Sequence, residues 1–451
     1  MYPLTFAEAA RVLGKQCSDQ TIIEKVIIDS RQAAAGSLFF ALPGTKTDGH
    51  HFVGDVLEAG GFAVVKRGWG RHQRVIEVDD PLLALQELAK AHLAKIGVPV
   101  VAVTGSNGKT TTKDFTAAVL GAKYNVWKTQ GSYNNEIGLP LTILSIEPMH
   151  EVLVLEMGMR GLGEIKCLTE IAPPQVAVIT NVYPVHLERL GSMDRIAEAK
   201  AEILMGLKPG GTAVLNGDDA YVRRHAAKAK HVLFYGKGVN NQLRAENITV
   251  DSLGRVGYDL RWNDQVYRVQ LAVPGVHNVY NSLAAVGVGI QFGIPISIAI
   301  EALPAAEFSG MRLEIEHSSD GMMIINDAYN ASPASMEAAL ATMVQIAGQR
   351  RKVAILGDMY ELGPISDSAH EQVGVWAAQA GDLLVFVGKN AHLMSKGAQS
   401  AGFSPSNIRI YSTVEQLLSE LNQLVSKEDL VLVKASRAAA LEQVVAALKA
   451  R

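Results

Sequence analysis

Between residues 101 and 111 the chain reads Val-Ala-Val-Thr-Gly-Ser-Asn-Gly-Lys-Thr-Thr, a buried-strand pattern followed by two glycines, a lysine and a hydroxyl pair. These residue types in this order suit a nucleotide phosphate. Gly105, Ser106, Asn107 and Gly108 let backbone N–H groups approach phosphate oxygens, and a helix opening at Lys109 adds a favourable dipole. Lys109 neutralises charge and Thr110, with Thr111 beside it, offers an oxygen to Mg²⁺. The position five before Gly108 is Val103, so the glycine spacing is shorter than in the general phosphate-loop pattern.

Three further side chains could complete such a site. Glu156 ends the run Val-Leu-Val-Leu and is followed by Met157-Gly158, which puts a carboxylate where open parallel sheets hold their ligands. His186 follows the next apolar run; a lone loop histidine reads first as a surface or packing residue, with metal ligation as the other reading. Lys200 shares one helical face with Ile196, Ile203 and Leu207. A lysine set in an apolar stripe reads first as a side chain that snorkels to water. Pairing with a buried acid, or a neutral amine created by desolvation, are the other readings.

The elements that must carry these groups follow from periodicity. A helix is predicted over Pro81 to Ile96, and strands over 98–103, 152–156, 176–180 and 212–216 alternate with helical segments as in a parallel sheet with crossovers. Residues 245–273 alternate apolar and polar around turns and predict a small antiparallel insertion. Beyond Arg312 the runs at 323–325, 353–356, 383–387 and 430–433 predict a second parallel α/β domain of Rossmann-like form. Residues 1 to about 80 predict a small α/β unit. The expected fold class is therefore α/β in three domains: 1–80, 81–311 with a mostly parallel phosphate-loop sheet, and 312–451.

Length and composition agree with that division. At 451 residues the chain has room for about three domains. Its 48% hydrophobic and 19% charged residues describe a globular protein rather than a disordered tail or scaffold. Lys+Arg 42 against Asp+Glu 45 is too balanced for a protein whose main partner is a nucleic acid or an anionic membrane. Asn278 to Ile300 carries no formal charge, but Gly293-Ile-Pro295 breaks it into two helices rather than one membrane span. No secretory pattern opens the chain, and Cys17 and Cys167 lack disulfide or metal-ligand spacing, so a cytoplasmic protein is expected.

The motifs resemble the Mur ligase family of cytoplasmic, ATP-dependent amide-forming enzymes, over nearly the whole chain. Thr104-Gly-Ser-Asn-Gly-Lys-Thr-Thr111 matches the family's phosphate loop with its shortened spacing. Asn134-Asn-Glu-Ile-Gly-Leu-Pro140, Leu155-Glu-Met-Gly-Met159 and Leu356-Gly-Asp-Met-Tyr-Glu-Leu-Gly363 resemble the branch that joins D-alanyl-D-alanine to UDP-N-acetylmuramoyl-tripeptide. The Asp-Asn-Pro-Arg element of the branch that adds the third residue does not occur in the sequence.

The resemblance implies roles residue by residue. Lys200 aligns with a lysine that the family carbamylates, which replaces the snorkelling reading; Glu156, His186 and Thr110 align with Mg²⁺ ligands. Asn278 and Asn281, in Pro274-Gly-Val-His-Asn278-Val-Tyr-Asn281, align with the adenine side of ATP, and Arg312 with an arginine that reaches the ATP phosphates. Asp327 and Asn330 lie in Asn326-Asp-Ala-Tyr-Asn330, which resembles the motif around nucleotide and incoming dipeptide, with Asn326 where Asp is common. Ser30, Arg31, Thr45 and Asp48 resemble the UDP segments, Asn134 and Asn135 belong to the substrate set, and Lys434, Ser436 and Arg437 resemble a dipeptide-carboxylate element in which Ala435 replaces Gly. For Asp29-Ser-Arg31 and Asp48 the residues alone read as a turn with a salt bridge.

The implied cofactors are ATP and Mg²⁺, the implied partners UDP-N-acetylmuramoyl-tripeptide and D-alanyl-D-alanine, with no nucleic acid, no membrane insertion and a monomeric state. Lys109, Lys200, His186 and Arg312 would form the catalytic set. Two other functions stay in view. A related ligase could use another amino-acid acceptor, and an ATP-gated switch would need the phosphate loop and one carboxylate but not His186, Lys200 or a UDP segment.

Overall fold

The computed structural model describes residues 1–44, 47–251 and 254–451. Its strands form three sheets. The first is four-stranded and all parallel, in the order Lys25–Ile27, Ser37–Phe40, Phe62–Lys66 and Val75–Val78. The second has nine strands, and the third has six strands that are parallel except for the edge strand Glu314–His317.

The central sheet places Val100–Thr104 between Val176–Ile179 and Val152–Glu156, in parallel register with Val103 opposite Glu156 and Thr104 opposite Ile179. Three strands that end at one edge therefore deliver the phosphate loop, Glu156 and the Thr180-Asn181 pair side by side, at the carboxyl edge where such sheets bind ligands. The alternating segment predicted as an insertion continues this sheet. Leu243–Val250 pairs in parallel with His231–Gly236, then antiparallel with Arg255–Trp262, which pairs with Gln265–Pro274.

Local chemistry accounts for the helix limits. Pro81–Ile96 begins where the Asp80 side chain accepts from the N–H groups of Leu82 and Leu83, has Pro at its first turn, and stops at Gly97 with φ 74°. Leu85, Leu88, Ala89 and Leu93 bury one face of it in a core shared by the first and second sheets. Each such leucine stabilises the fold by about 1.5–3 kcal/mol. The uncharged stretch divides into His277–Gln291 and Ile296–Ala302, broken at the predicted Gly293-Ile-Pro295. Among the described residues no helix is long and apolar enough to cross a membrane.

Candidate active site

The phosphate loop joins Val100–Thr104 to the helix Lys109–Gly121, with Gly108 at the helix start in a left-handed conformation, φ 78°. Two of its glycines are sterically required. A Cβ on Gly105 would collide with Thr180 Oγ1, and one on Gly108 would lie 2.5 Å from Asn281 Oδ1. The loop is held from the neighbouring strand end: Thr180 Oγ1 donates to Asn107 O at 2.7 Å, Asn107 N to Asn181 Oδ1 at 2.9 Å, and Ser106 Oγ to Tyr183 O at 3.0 Å. Lys109 Nζ donates to the carbonyls of Gly105 and Ser106. Desolvation lowers its pKa from the usual lysine value, with Glu156 opposing and Arg312 reinforcing the shift.

Thr110 and Glu156 meet beside the loop. Thr110 Oγ1 donates to Glu156 Oε2 at 2.6 Å, Asn134 Nδ2 donates to the other carboxylate oxygen at 2.8 Å, and the Glu156 N–H donates to Thr129 Oγ1. His186 opens the short helix Leu187–Leu190 with φ 55°, and its Nδ1 is in hydrogen-bonding contact with Glu361. Burial lowers the His186 pKa, Glu361 opposes this, and Lys200 and Lys109 add to it.

Lys200 does not snorkel. It is 2% exposed on the helix Met193–Met205, with no hydrogen-bond or ion-pair partner among the described residues. The apolar stripe was legible, but the helix turns Lys200 into the wall of a large cavity rather than toward bulk water. Desolvation, with Lys109 nearby, drives its pKa well below the usual lysine value, so the amine is neutral far more readily than in water.

That cavity, about 1510 Å³, gathers most of the predicted set. It is lined by the phosphate loop from Gly105 to Thr111, Asn134, Asn135, Glu156, His186, Lys200, Asn278, Asn281, Arg312, Asp327, Asn330 and Lys434. Asn278 and Asn281 are buried: Asn281 donates to Asn278 Oδ1 and accepts from Thr112 Oγ1, tying the helix His277–Gln291 to the phosphate-loop helix. Asp327 accepts from Lys434 Nζ at 2.6 Å and from Leu313 N at 3.1 Å; burial raises its pKa while Lys434 opposes. The Arg312 guanidinium lies 4.0 Å from the centre of the Tyr329 ring.

Other expected residues lie elsewhere. Asp29 and Arg31 pair within their own turn, with Arg31 exposed and its guanidinium holding the Asp29 carboxyl down to about 2; Ser30 opens the same turn. Asp48 caps the turn Gly49–Phe52 and accepts from His50. None of these lines the cavity, and Thr45 falls outside the described residues. Ser436 is buried, accepting from Tyr360 N, and Arg437 pairs with Glu442 near the surface; neither faces the cavity.

Two departures from the family pattern have local accounts. Asn326 donates to Glu316, so an Asp here would set two carboxylates together. Ala435 keeps a negative φ, and its methyl fills the space that Gly357 leaves open.

Sequence reasoning missed several groups. Lys113 and Asp114, both buried, form an ion cluster with the partly exposed Lys128 beside the loop, and Lys113 lies one helical turn after Lys109, the only signal that could have flagged it. Ser332 at the start of Pro333–Ile346 donates to Asn107 Oδ1 at 3.1 Å, so the third domain touches the phosphate loop. No three His, Cys, Asp or Glu side chains among the described residues converge to hold a metal. Glu156, the Thr110 hydroxyl, His186 and Lys200 line the same cavity and are the groups on which a cation could draw.

A glycine loop, lysine and hydroxyl at a parallel sheet's carboxyl edge, with a carboxylate from the adjacent strand and an arginine from a following domain, define a three-domain phosphate-binding α/β protein. Family models match in chain order: the Mur ligase family catalytic domain over 22–93, the Mur ligase middle domain over 103–289 and the Mur ligase glutamate ligase domain over 311–437. A UDP-N-acetylmuramoyl-tripeptide--D-alanyl-D-alanine ligase of Bacillus subtilis is 40% identical over 435 residues, spanning 95% of this chain and 93% of the relative. The enzyme of that name from Escherichia coli is 33% identical and covers 100% and 99%. Among solved structures, MurF from Acinetobacter baumannii superposes with a TM-score of 0.90 at 29% identity over 100% and 99% of the two chains. MurF from Thermotoga maritima in complex with ADP gives 0.83 at 30% over 95% and 97%. The chain belongs to the Mur ligase family.

Proposed function

We propose that this protein is an ATP-dependent, ADP-forming ligase that joins D-alanyl-D-alanine to UDP-N-acetylmuramoyl-tripeptide in peptidoglycan precursor synthesis. The observation that carries the reading is full-length similarity, at 40% and 33% identity, to enzymes named for that reaction. The model over 311–437 bears a glutamate ligase description, but the whole-chain relatives are named for the dipeptide.

Amide formation from a carboxylate is uphill, so the tripeptide carboxylate first takes the γ-phosphoryl group of ATP, releasing ADP. The dipeptide amine then attacks the acyl carbon, loses a proton, and inorganic phosphate departs as the amide forms. Lys109 exchanges its bonds to Gly105 and Ser106 for phosphate oxygens, and Arg312 enters the same cavity from the third domain, offsetting repulsion between the γ-phosphate and the attacking carboxylate. Lys434, fixed by Asp327, presents a cation toward the dipeptide side.

Mg²⁺ would supply further charge neutralisation at the phosphates. Thr110 and Glu156 would hold it through oxygens, the hard donors that suit that ion, and His186 would add an imidazole nitrogen. One carboxylate is a sparse set, and Lys200 could supply a second: its neutral amine adds carbon dioxide and loses a proton to give a carbamate. The buried amine, without a partner among the described residues, supports this reading.

The domain division at 1–80, 81–311 and 312–451 assigns the UDP end, ATP and dipeptide respectively, with Ser30, Arg31 and Asp48 receiving the far end of a long substrate. Product analysis tests the reading. Incubation with ATP, UDP-N-acetylmuramoyl-tripeptide and D-alanyl-D-alanine should yield the pentapeptide mass and ADP; ADP without that product would reject it.

A further inference from the structure

Arg312 stands between two non-glycine residues in left-handed conformation, Met311 at φ 61° and Leu313 at φ 51°. Such backbone persists only where its surroundings over-determine it. On the far side the restraint is Asp327, which accepts from Leu313 N.

On the near side Met311 O accepts from Tyr329 N and Met311 N donates to Glu314, and the segment leading into it is held by Asp114. Its Oδ2 accepts both the N–H of Ser309 at 3.0 Å and the Ser309 hydroxyl at 3.1 Å, three residues before Arg312. Asp114 Oδ1 meets Lys128 Nζ at 2.7 Å and Lys113 Nζ at 3.2 Å. Lys128 also donates to Glu307 O, and Lys113 to Ser309 Oγ and Thr129 O. Asp114 and Lys113 are buried on the helix that begins at Lys109. One helix therefore carries the phosphate-loop lysine at its start and grips the segment leading to Arg312 one turn later.

We propose that Asp114 is a positioning residue for Arg312, fixing through Ser309 how far the arginine reaches toward the nucleotide's terminal phosphate. A largely buried ion cluster is weak evidence for stability compared with apolar packing, and fixing one arrangement of this junction is the role the proposal gives it. The inference rests on the reading that Arg312 meets ATP phosphates, and its test is nucleotide binding, which does not depend on the acceptor.

The test measures affinity for a non-hydrolysable ATP analogue and for ADP by calorimetry in Asp114→Asn, Arg312→Ala and the double variant. Each single change should weaken the analogue about 10-fold or more with a smaller effect on ADP. In the Arg312→Ala background, Asp114→Asn should add no more than about 2-fold, because its effect passes through the missing arginine. Multiplicative losses, equal weakening of analogue and ADP, or full affinity in Arg312→Ala would each overturn the proposal. Should Asp114→Asn fail to fold, Ser309→Ala leaves both lysine pairs with Asp114 in place and removes the two junction hydrogen bonds of the Ser309 hydroxyl, to Asp114 and from Lys113. It should weaken the analogue by about 3-fold or more at an unchanged melting temperature; unaltered affinity would overturn the proposal. Absence of dipeptide ligation would reject the acceptor assignment alone.

Discussion

Glu361 contacts His186 Nδ1 across 175 residues of sequence, and both hold left-handed backbone, φ 62° and 55°. Glu361 belongs to the Gly-Asp-Met-Tyr-Glu-Leu-Gly element, which in sequence serves only to mark a branch of the family. In the fold it brings a third-domain carboxylate to a side chain of the central domain. Accepting from Nδ1–H fixes the ring's tautomer and leaves Nε2 as the nitrogen able to ligate.

Glu361→Ala should lower kcat about 10- to 100-fold and raise the Mg²⁺ concentration needed for half-maximal rate. Glu361→Gln keeps an acceptor and should recover part of the loss. A Mg²⁺ titration of wild type and both variants decides this; an unchanged Mg²⁺ dependence in Glu361→Ala would remove the positioning role.

Lys200 has opposite consequences for stability and activity. Between its lowered folded pKa and the usual value near 10.5 the unfolded chain binds the extra proton, so the buried amine costs stability at lower pH and less as pH rises toward 10.5. Lys200→Met should therefore be as stable as wild type or more so, by about 1–2 kcal/mol, while losing activity. Lys200→Ala should also be inactive and regain part of its rate with added short carboxylates, which can enter the vacated volume. Full activity in Lys200→Ala would refute the carbamate.

His92 gives a pH test remote from the cavity. It is 2% exposed, neither ring nitrogen has a hydrogen-bond partner among the described residues, and Tyr2 meets it edge-on with centroids 6.1 Å apart. Burial, aided by Lys95, lowers its pKa to about 4. The unfolded chain then takes up a proton near 6.5 that the folded chain refuses, so stability falls as pH drops from about 6.5 toward 4. At pH 5 the loss is about 2 kcal/mol. Urea midpoints at pH 7.5 and pH 5 should fall further apart in wild type than in His92→Gln; equal separations would show that His92 is not the acid-sensitive group.

What the sequence made legible was local. The helix Pro81–Ile96 was readable to its ends because Asp80, Pro81 and Gly97 act within one turn, and the phosphate loop because strand, glycines and lysine are contiguous. The relationships that assemble the cavity were not. Asn107 with Ser332, His186 with Glu361 and Asp114 with Ser309 join residues 225, 175 and 195 positions apart, and no periodicity encodes such pairs. Lys200 shows the same limit from one helix: its stripe was visible, the cavity opposite was not. The strands after 243 read as alternating hairpins, but their attachment to the central sheet depends on the parallel pairing of Tyr235 and Gly236 with Leu243 and Arg244.

The central claim is the identity of the acceptor, and a phosphate-release assay addresses it most directly. With ATP, Mg²⁺ and UDP-N-acetylmuramoyl-tripeptide present, phosphate should be released on addition of D-alanyl-D-alanine and not of glutamate or diaminopimelate. Turnover with either of those amino acids, and none with the dipeptide, would contradict the account.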